Sequence, residues 1–366
     1  MALISFARGF PGPDLLPIEE FGDCAREALA RDGATALNYG QPGGYAPLRK
    51  WIAERHGVDA GRVIVTNGSL QAFNFLARHF VGGGARVYVE APCYDRSLSI
   101  LRRLGAEVEE IPLCEEGLDV EALEHALAGA NGSTLVYTIP TFQNPSGRTL
   151  SRASRERLLE LARAAGALVL EDDPYGLLRF SGEPLPRIFE LAGGEGVLFL
   201  SSFSKTVAPG IRVGYLILPE ELVAAIEGFV LENYVSPSIF VQATLYEFVR
   251  RGRFDPNVEE IRAGLRIRRD AMLAALEREM PEGTTWNEPD GGYFLWVDLP
   301  GEIRGEELQA HAAEVEVAFV KGADFFFTSG GEQSVRLAFS YATAAEIDEG
   351  VARLGRLVRE ASVVAA

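Results

Sequence analysis

Short apolar runs alternate with amphipathic stretches through the middle of the chain. The runs are rich in valine, isoleucine and leucine, and most of them end in a polar or glycine-rich segment. The stretches between them, such as 70–80 and 154–165, carry apolar residues at the spacing of one helix face. We therefore predict strands at 63–66, 86–90, 134–139, 167–171, 197–201 and 213–218.

This alternation of strand and helix is typical of an α/β domain, whose mostly parallel sheet is covered by helices on both faces. Beyond it, a helical stretch at 220–280 is followed by strands at 292–298 and 335–340 mixed with helices, which indicates a smaller α+β domain. The first residues are irregular and rich in glycine and proline. The predicted division is an N-terminal segment at 1–40, a large domain at 41–265 and a small domain at 266–366.

The composition limits the partners of the protein. With a formal net charge of −17 over 366 residues, the chain is not expected to bind nucleic acid or anionic membranes. The apolar stretches are too short to span a bilayer, and the first residues lack the pattern of a signal peptide. Cys24, Cys93 and Cys114 lack C-x-x-C spacing, so we expect free thiols in a cytoplasmic protein. The histidines are scattered, and no metal site is expected.

The segment 201–214, SSFSKTVAPGIRVG, is the most specific pattern in the chain. A lysine amine forms a Schiff base with an aldehyde once burial or a neighbouring cation lowers its pKa. Lys205 has Ser202, Ser204 and Arg212 near it in the sequence, and hydroxyls with a guanidinium are suited to a phosphate monoester. A ligand with both an aldehyde and a phosphate suggests pyridoxal 5'-phosphate. The alternative is a surface lysine and arginine that flank a Pro-Gly turn.

Other polar residues follow directly after predicted strands, where α/β sheets bind their ligands. Ser69 and Leu70 open a helix, and their backbone N–H groups with the Ser69 hydroxyl are suited to a phosphate; an ordinary serine N-cap is the alternative. Tyr94 could stack on a flat ring or pack in the core. Asn144, within the run PTFQNPSG, could simply cap a turn.

Two further charged positions bear on ligand chemistry. Asp172 and Asp173 follow the strand at 167–171, and a carboxylate that faces a pyridine nitrogen keeps it protonated, so that the ring accepts electrons. Strand alternation alone does not choose between the two aspartates. Arg336 lies inside the strand at 335–340, where a buried guanidinium needs an anion; an edge-strand arginine in solvent is the alternative.

In this order, over about residues 4–360, the motifs resemble those of fold type I pyridoxal-phosphate-dependent aminotransferases, in the branch of 2-aminoadipate and kynurenine aminotransferases. The resemblance implies an α/β fold: a large cofactor-binding domain with a mostly parallel seven-stranded sheet flanked by helices, plus a smaller α+β domain. It also implies that the cofactor is pyridoxal 5'-phosphate.

The resemblance gives each of these residues a role. Lys205 would hold the cofactor as an aldimine, and Asp172, which stands three residues before Tyr175, would face the pyridine nitrogen. Tyr175 and Asn144 would bond the phenolic oxygen, Asn144 would also contact the substrate, and Tyr94 would stack on the ring. Arg336 would bind the substrate α-carboxylate. The remaining residues would bind the phosphate: Ser69, Leu70, Ser202, Ser204 and Arg212.

Four further positions follow from the resemblance. Tyr39 stands where the family supplies a tyrosine to the phosphate of the neighbouring subunit, which implies a homodimer with shared active sites. Arg8 and Gly9 lie near the substrate side in the family, where Arg8 replaces a more usual glycine. Lys321 replaces a more usual proline, so Arg8 and Lys321 both bear on specificity, and Arg8 is a candidate for recognising an acidic side chain.

The implied reaction is transamination between an α-amino acid and a 2-oxo acid, with 2-oxoglutarate as the expected acceptor. The donor stays open among 2-aminoadipate, aromatic, branched-chain and glutamate-type amino acids. A β-lyase or decarboxylase would use the same cofactor contacts. A ligand-sensing module, of the kind fused to bacterial transcription regulators, is a further alternative, but such proteins carry an N-terminal DNA-binding domain, whereas here the family pattern begins within the first ten residues.

Overall fold

Residues 3–130 and 132–365 of the chain are described by a computed structural model. The strands are β1 (Ile4–Ser5), β2 (Val63–Thr66), β3 (Arg86–Ala91), β4 (Val108–Cys114), β5 (Gly117–Leu118), β6 (Thr134–Thr138), β7 (Leu168–Asp172), β8 (Val197–Ser202), β9 (Gly214–Ile217), β10 (Thr285–Trp286), β11 (Phe294–Asp298), β12 (Val317–Ala318), β13 (Val320–Lys321) and β14 (Ser334–Ala338). The helices are α1 (Ile18–Ala36), α2 (Ala46–His56), α3 (Ser69–Gly82), α4 (Asp95–Leu104), α5 (Val120–Ala128), α6 (Arg152–Ala165), α7 (Ile188–Leu191), α8 (Glu220–Tyr234), α9 (Ile239–Arg250), α10 (Phe254–Glu279), α11 (Gly305–Ala312) and α12 (Ala344–Ala365).

The large sheet has the order β2-β9-β8-β7-β6-β3-β4-β5. Its central strands, from β8 through β7, β6 and β3 to β4, are parallel, while β9 runs antiparallel to both β8 and β2. The predicted α/β fold class is confirmed. The sheet has eight strands rather than the seven expected, because the two-residue β5 pairs antiparallel with β4 at the edge.

Both faces of the large sheet are buried at its central strands, which explains their unbroken apolar runs. Along β8, Leu198 and Leu200 pack in one core cluster, while Val197 and Phe199 pack in the other. Successive side chains of a strand point to opposite faces, so a strand covered on both sides has no position for solvent-facing residues. The first cluster includes residues of α3 and α4, and the second includes residues of α5, α6 and α9.

A second, antiparallel sheet has the order β10-β11-β14-β13. The N-terminal segment adds to this half of the protein, because β1 pairs in parallel with β12 and the Ala338 N–H donates to the Phe6 carbonyl oxygen at 2.7 Å. The predicted domain boundary at 265/266 falls inside α10, and the division into domains stays a prediction. None of the helices in the part of the chain that the structure describes is long and apolar enough to cross a membrane.

The loop after β6 is held against the second half of the chain by a tight aromatic contact. Phe142 is fully buried and has a φ of 51°, a left-handed value that is uncommon for a large side chain. Its ring lies so close to the backbone of Gly291 that a Cβ added there would overlap the ring, and the Leu178 carbonyl oxygen would lie 2.5 Å away. Only glycine therefore fits at position 291 without displacing this loop.

Candidate active site

A cavity of about 560 Å³ lies at the carboxyl ends of the parallel strands. Its walls come from the ends of β6, β7 and β8, the first turn of α3 and strand β14. The structure brings twelve of the predicted site residues together there: Gly9, Ser69, Leu70, Tyr94, Asn144, Asp172, Tyr175, Ser202, Ser204, Lys205, Arg212 and Arg336.

Two predicted residues do not line the cavity. Arg8 is exposed, and its guanidinium carbon lies 4.6 Å from the centre of the Tyr341 ring. Tyr39 is 82% exposed on the loop before α2, where the N–H of the next residue, Gly40, donates to the Ser236 hydroxyl at 3.0 Å. The roles that the resemblance implies for these two side chains stay predictions.

Lys205 follows β8 and projects into the centre of the cavity. Its Nζ donates to the Gly9 carbonyl oxygen and lies 5.4 Å from the centre of the Tyr293 ring. Burial, together with the nearby guanidinium groups of Arg336 and Arg212, lowers the pKa of Lys205 to about 8, against the opposing effect of Asp172. About a tenth of the amine is therefore unprotonated and nucleophilic at pH 7, far more than for a lysine in water.

One corner of the cavity is suited to a phosphate. α3 begins at Ser69, so its first N–H groups have no acceptor within the helix and point into the cavity with the positive end of the helix dipole. Arg212, held in a left-handed conformation with φ 49°, donates to the Ser204 hydroxyl at 3.2 Å. At Gly214 an added Cβ would lie 2.6 Å from the Ser69 nitrogen, so glycine lets the start of β9 approach the backbone at the start of α3.

Asp172 closes the opposite side of the cavity at the end of β7. Its Oδ2 accepts a hydrogen bond from the Tyr137 hydroxyl at 3.0 Å, whereas its Oδ1 is buried and has no hydrogen-bond partner among the residues that the structure describes. Burial raises the pKa of Asp172 to about 8, although the bond from Tyr137 opposes this shift. A cationic ring nitrogen opposite Oδ1 would give this oxygen a partner and favour the carboxylate.

Asp173 points away from the cavity. Its Oδ1 accepts from the Gly176 N–H at 2.7 Å, and its Oδ2 accepts from Arg187 Nε at 2.8 Å. Strand alternation did not distinguish the two aspartates, but their contacts do. Asp173 forms an ion pair and accepts a hydrogen bond within a turn, whereas Asp172 faces the cavity.

Arg336 projects from β14 and is buried, with 6% of its surface exposed. Its guanidinium donates to Asn144 Oδ1 at 3.0 Å and to the Ala7 carbonyl oxygen at 2.8 Å, while its Nε has no hydrogen-bond partner in the described part of the chain. Within residues 3–130 and 132–365, no carboxylate lies at ion-pair distance from it. A buried guanidinium of this kind is stabilised by an anion, and a substrate carboxylate would supply one.

Three residues in or beside the site were not predicted from the sequence. Tyr137 lies within β6 and contacts Asp172, Glu90 lies near the end of β3 and accepts a hydrogen bond from Gln143 in the loop that carries Asn144, and Asp95 lines the cavity directly after Tyr94. The signal that could have found the first two is a polar side chain inside or at the end of a buried apolar strand, since such a group needs a partner.

Comparison with known proteins gives consistent relatives over nearly the whole chain. The model of the family described as "Aminotransferase class I and II" matches residues 15–354. The aromatic-amino-acid aminotransferase 1 of Thermococcus litoralis is 36% identical over 98% of this chain and 88% of its own length.

Two solved structures share the fold closely. LysN, an α-aminoadipate aminotransferase from Thermus thermophilus complexed with N-(5'-phosphopyridoxyl)-L-leucine, superposes with a TM-score of 0.95 at 37% identity and covers 99% of this chain and 93% of its own. The kynurenine aminotransferase of Pyrococcus horikoshii gives a TM-score of 0.93 at 36% identity, over 99% of this chain and 92% of its own.

Proposed function

Because this chain belongs to the class I and II aminotransferases, we propose that the cavity described above is the site at which Lys205 holds its cofactor. The protein is a pyridoxal-phosphate-dependent transaminase. The observation that carries the assignment of the site is the set of groups that share one cavity with Lys205, whose amine has a lowered pKa: Asp172, with a buried Oδ1 that has no hydrogen-bond partner among the described residues, and Arg212 with the start of α3.

Pyridoxal phosphate supplies an aldehyde that takes up the amino group and a ring that accepts electrons. In our proposal, Lys205 would hold the cofactor through its amine, and the same amine would take a proton from the substrate Cα and return it to the cofactor's C4' carbon. Asp172 would hold a proton on the ring nitrogen. Tyr175 and Asn144 donate to the phenolic oxygen; burial raises the pKa of Tyr175 well above its usual range, so its hydroxyl stays a donor.

The remaining assignments concern binding. Arg336 would bind the substrate α-carboxylate with its guanidinium, and Tyr94 would stack on the cofactor ring. The phosphate would be held by Ser202, Ser204, Arg212 and the first N–H groups of α3 at Ser69 and Leu70.

We propose amino donors with apolar or aromatic side chains and 2-oxoglutarate as the acceptor. The cavity wall includes the side chains of Phe10, Ile139, Phe294, Val320 and Phe325, which would bury an apolar donor side chain favourably. Arg8 is exposed beside this wall, against Tyr341, and its recognition of an acidic donor such as 2-aminoadipate stays a prediction.

The test is a panel of amino acids supplied to the purified holoenzyme with 2-oxoglutarate. Each donor should give glutamate and the matching 2-oxo acid in equal amounts, with the highest kcat/KM for apolar and aromatic donors. The Lys205→Ala variant should give none. Release of ammonia or carbon dioxide in place of glutamate would identify a β-lyase or a decarboxylase and overturn the proposal.

We further propose a homodimer in which Tyr39 of one subunit contacts the cofactor phosphate held by the other. Leu37 and Tyr39 are 74% and 82% exposed, and Val235, near Ser236, is 46% exposed. Exposed apolar side chains grouped around one loop are typical of a protein interface. A tyrosine hydroxyl donated across the interface would help to hold the phosphate.

Mixing two inactive variants tests the shared site. Tyr39→Ala and Lys205→Ala homodimers should each be impaired, but a mixed dimer has one site that combines Lys205 of one chain with Tyr39 of the other. Activity should recover to about half of the wild-type value per dimer, because one of two sites is intact. If mixed dimers form and no activity returns, Tyr39 serves its own chain and the proposal is wrong.

A cytoplasmic location completes the proposal. Cys24, Cys93 and Cys114 are free thiols, and the first two are buried. Free buried thiols are usual in proteins of a reducing compartment.

A further inference from the structure

Glu90 is a buried carboxyl group that the reaction proposed above does not use. It lies at the end of β3 with 1% of its surface exposed. Its oxygens accept hydrogen bonds from the Thr138 hydroxyl at 2.5 Å, from the Ile139 N–H at 3.2 Å and from Gln143 Nε2 at 3.0 Å. If Glu90 did not accept these hydrogen bonds, three buried donors would lose a partner, which would cost more free energy than the bonds themselves contribute.

All three donors belong to the end of β6 and the loop that follows it. Gln143 extends the network into the loop, because its Oε1 accepts from the Ser146 N–H at 2.8 Å and its Nε2 also donates to the Pro92 carbonyl oxygen at 2.8 Å. Asn144 lies in the sequence between Gln143 and Ser146, the two residues that this hydrogen bond joins. Through Gln143, the end of β3 is therefore tied to the backbone on both sides of Asn144.

A second buried glutamate provides a direct contrast. Glu171 in β7 is fully buried, and burial raises the pKa of Glu90 and that of Glu171 alike to about 7. The Glu171 oxygens, however, accept from the N–H groups of Ile188 at 3.0 Å and Phe189 at 2.7 Å, at the start of α7. The two carboxyl groups are thus alike in their burial and in their raised pKa, but they accept hydrogen bonds from different parts of the chain.

We propose that Glu90 is a positioning residue for the reaction, which acts through Gln143 to hold Asn144 where it contacts the cofactor's phenolic oxygen. The inference rests on the proposed role of Asn144. The bond from Asn144 stabilises the deprotonated phenolic oxygen and the lysine–cofactor linkage beside it, so a displaced Asn144 should change the pH at which the yellow bound cofactor changes its absorbance.

The chemistry of the three donors predicts how substitutions at position 90 differ. In Glu90→Gln, the Thr138 hydroxyl can rotate to accept from the new amide NH₂, while the amide oxygen accepts from Ile139 and Gln143. In Glu90→Ala, no acceptor remains and a cavity forms. We expect the glutamine variant to keep the loop in place and the alanine variant to release it.

The experiment compares holoenzymes of wild type, Glu90→Ala, Glu90→Gln and Gln143→Leu, with Glu171→Ala as the control matched in burial and size. Hydrogen exchange of the backbone amides in residues 139–148 and the pH midpoint of the cofactor absorbance are measured on each. Glu90→Ala and Gln143→Leu should exchange this loop about tenfold faster and raise the midpoint by about one pH unit, the loss expected for one hydrogen bond to a charged group. Glu90→Gln and Glu171→Ala should match wild type in both measurements.

Steady-state kinetics give a third readout, with kcat/KM lower by about tenfold in Glu90→Ala and restored in Glu90→Gln. The inference is overturned if Glu90→Ala changes the loop and the midpoint no more than Glu171→Ala does. If Glu90→Ala does not fold, Gln143→Leu decides on the same criteria, because it removes the link but leaves Glu90 with Thr138 and Ile139.

Asn144→Ala separates this inference from the proposed function. It should shift the midpoint by itself. If it does and the Glu90 and Gln143 variants do not, only the positioning role is wrong. If Asn144→Ala leaves the midpoint unchanged, the proposed contact of Asn144 fails and the inference fails with it.

Discussion

The hydroxyl of Tyr137 is expected to control the charge of Asp172, and Tyr137→Phe removes that hydroxyl alone. Tyr137 has one hydroxyl proton, which it donates to Asp172 Oδ2 at 3.0 Å, so its oxygen accepts from the Ser97 hydroxyl at 3.1 Å. All three side chains are buried. The substitution therefore deletes a charge-assisted hydrogen bond without opening a path for water.

The size of the effect follows from this bond. A hydrogen bond to a charged group contributes about 1.5–3 kcal/mol, and one pKa unit corresponds to about 1.4 kcal/mol. The pKa of Asp172, which burial has raised to about 8, should therefore rise by about one to two more units in the variant. A more basic Asp172 takes the proton away from the cofactor ring nitrogen, so the ring accepts electrons less well, and we expect turnover to fall by at least about tenfold.

The assay is a single turnover of each holoenzyme with saturating amino acid, followed by absorbance across the pH range in which the protein stays folded. Ser97→Ala is the matched control, because Ser97 reaches Asp172 only through Tyr137. Its rate should stay within about threefold of wild type, since Tyr137 keeps its own bond to Asp172. Equal rates for Tyr137→Phe and wild type, or equal losses in the two variants, would refute the reasoning.

Two further predictions concern the neighbours of this group. Only the unprotonated amine of Lys205 captures pyridoxal phosphate, so the rate constant for reconstituting apoenzyme should fall about tenfold per pH unit below the Lys205 pKa of about 8 and level off above it. In stopped-flow absorbance, Arg336→Gln should move the midpoint of this pH dependence upward. An unmoved midpoint would show that Arg336 does not act on the lysine. Asp173→Asn should lower the melting temperature, because it weakens the ion pair with Arg187, and should keep turnover. Asp172→Asn should keep the fold and lower kcat by about one to two decades. The reverse pattern would mean that the wrong aspartate has been assigned.

The sequence predicts the large sheet well where its strands are buried on both faces. The runs at 134–139 and 197–201 are apolar throughout most of their length, and the structure has β6 and β8 there. β4 was not predicted, because its sequence VEEIPLC contains two glutamates and a proline and is only partly buried near the sheet edge. Apolar runs identify a strand only when both of its faces are covered.

The candidate site divides along a similar line. Lys205, Asp172 and Arg336 stand out in the sequence, because charged residues beside or within apolar strands need a chemical reason. Tyr137 and Glu90 are also polar side chains within buried strands, but the sequence does not show what they contact, since their partners, Asp172 and Gln143, come from other elements and a single sequence does not give the pairing of its strands. The role of Tyr39 depends on a second subunit, which no pattern within one chain places.

The contact between Phe142 and Gly291 has an evolutionary consequence. Neither residue lines the cavity, yet Gly291 leaves no room for a Cβ beside the Phe142 ring, and Phe142 lies two residues before Asn144. Any substitution at position 291 therefore pushes on the loop that carries a proposed cofactor ligand. In a survey of all single substitutions scored by transaminase activity, position 291 would tolerate little change, although it takes no part in the chemistry. Selection on this enzyme then acts on Gly291 through the position of the Phe142 ring. Homologues that use a different amino donor would be expected to keep this glycine while the residues of the cavity wall change.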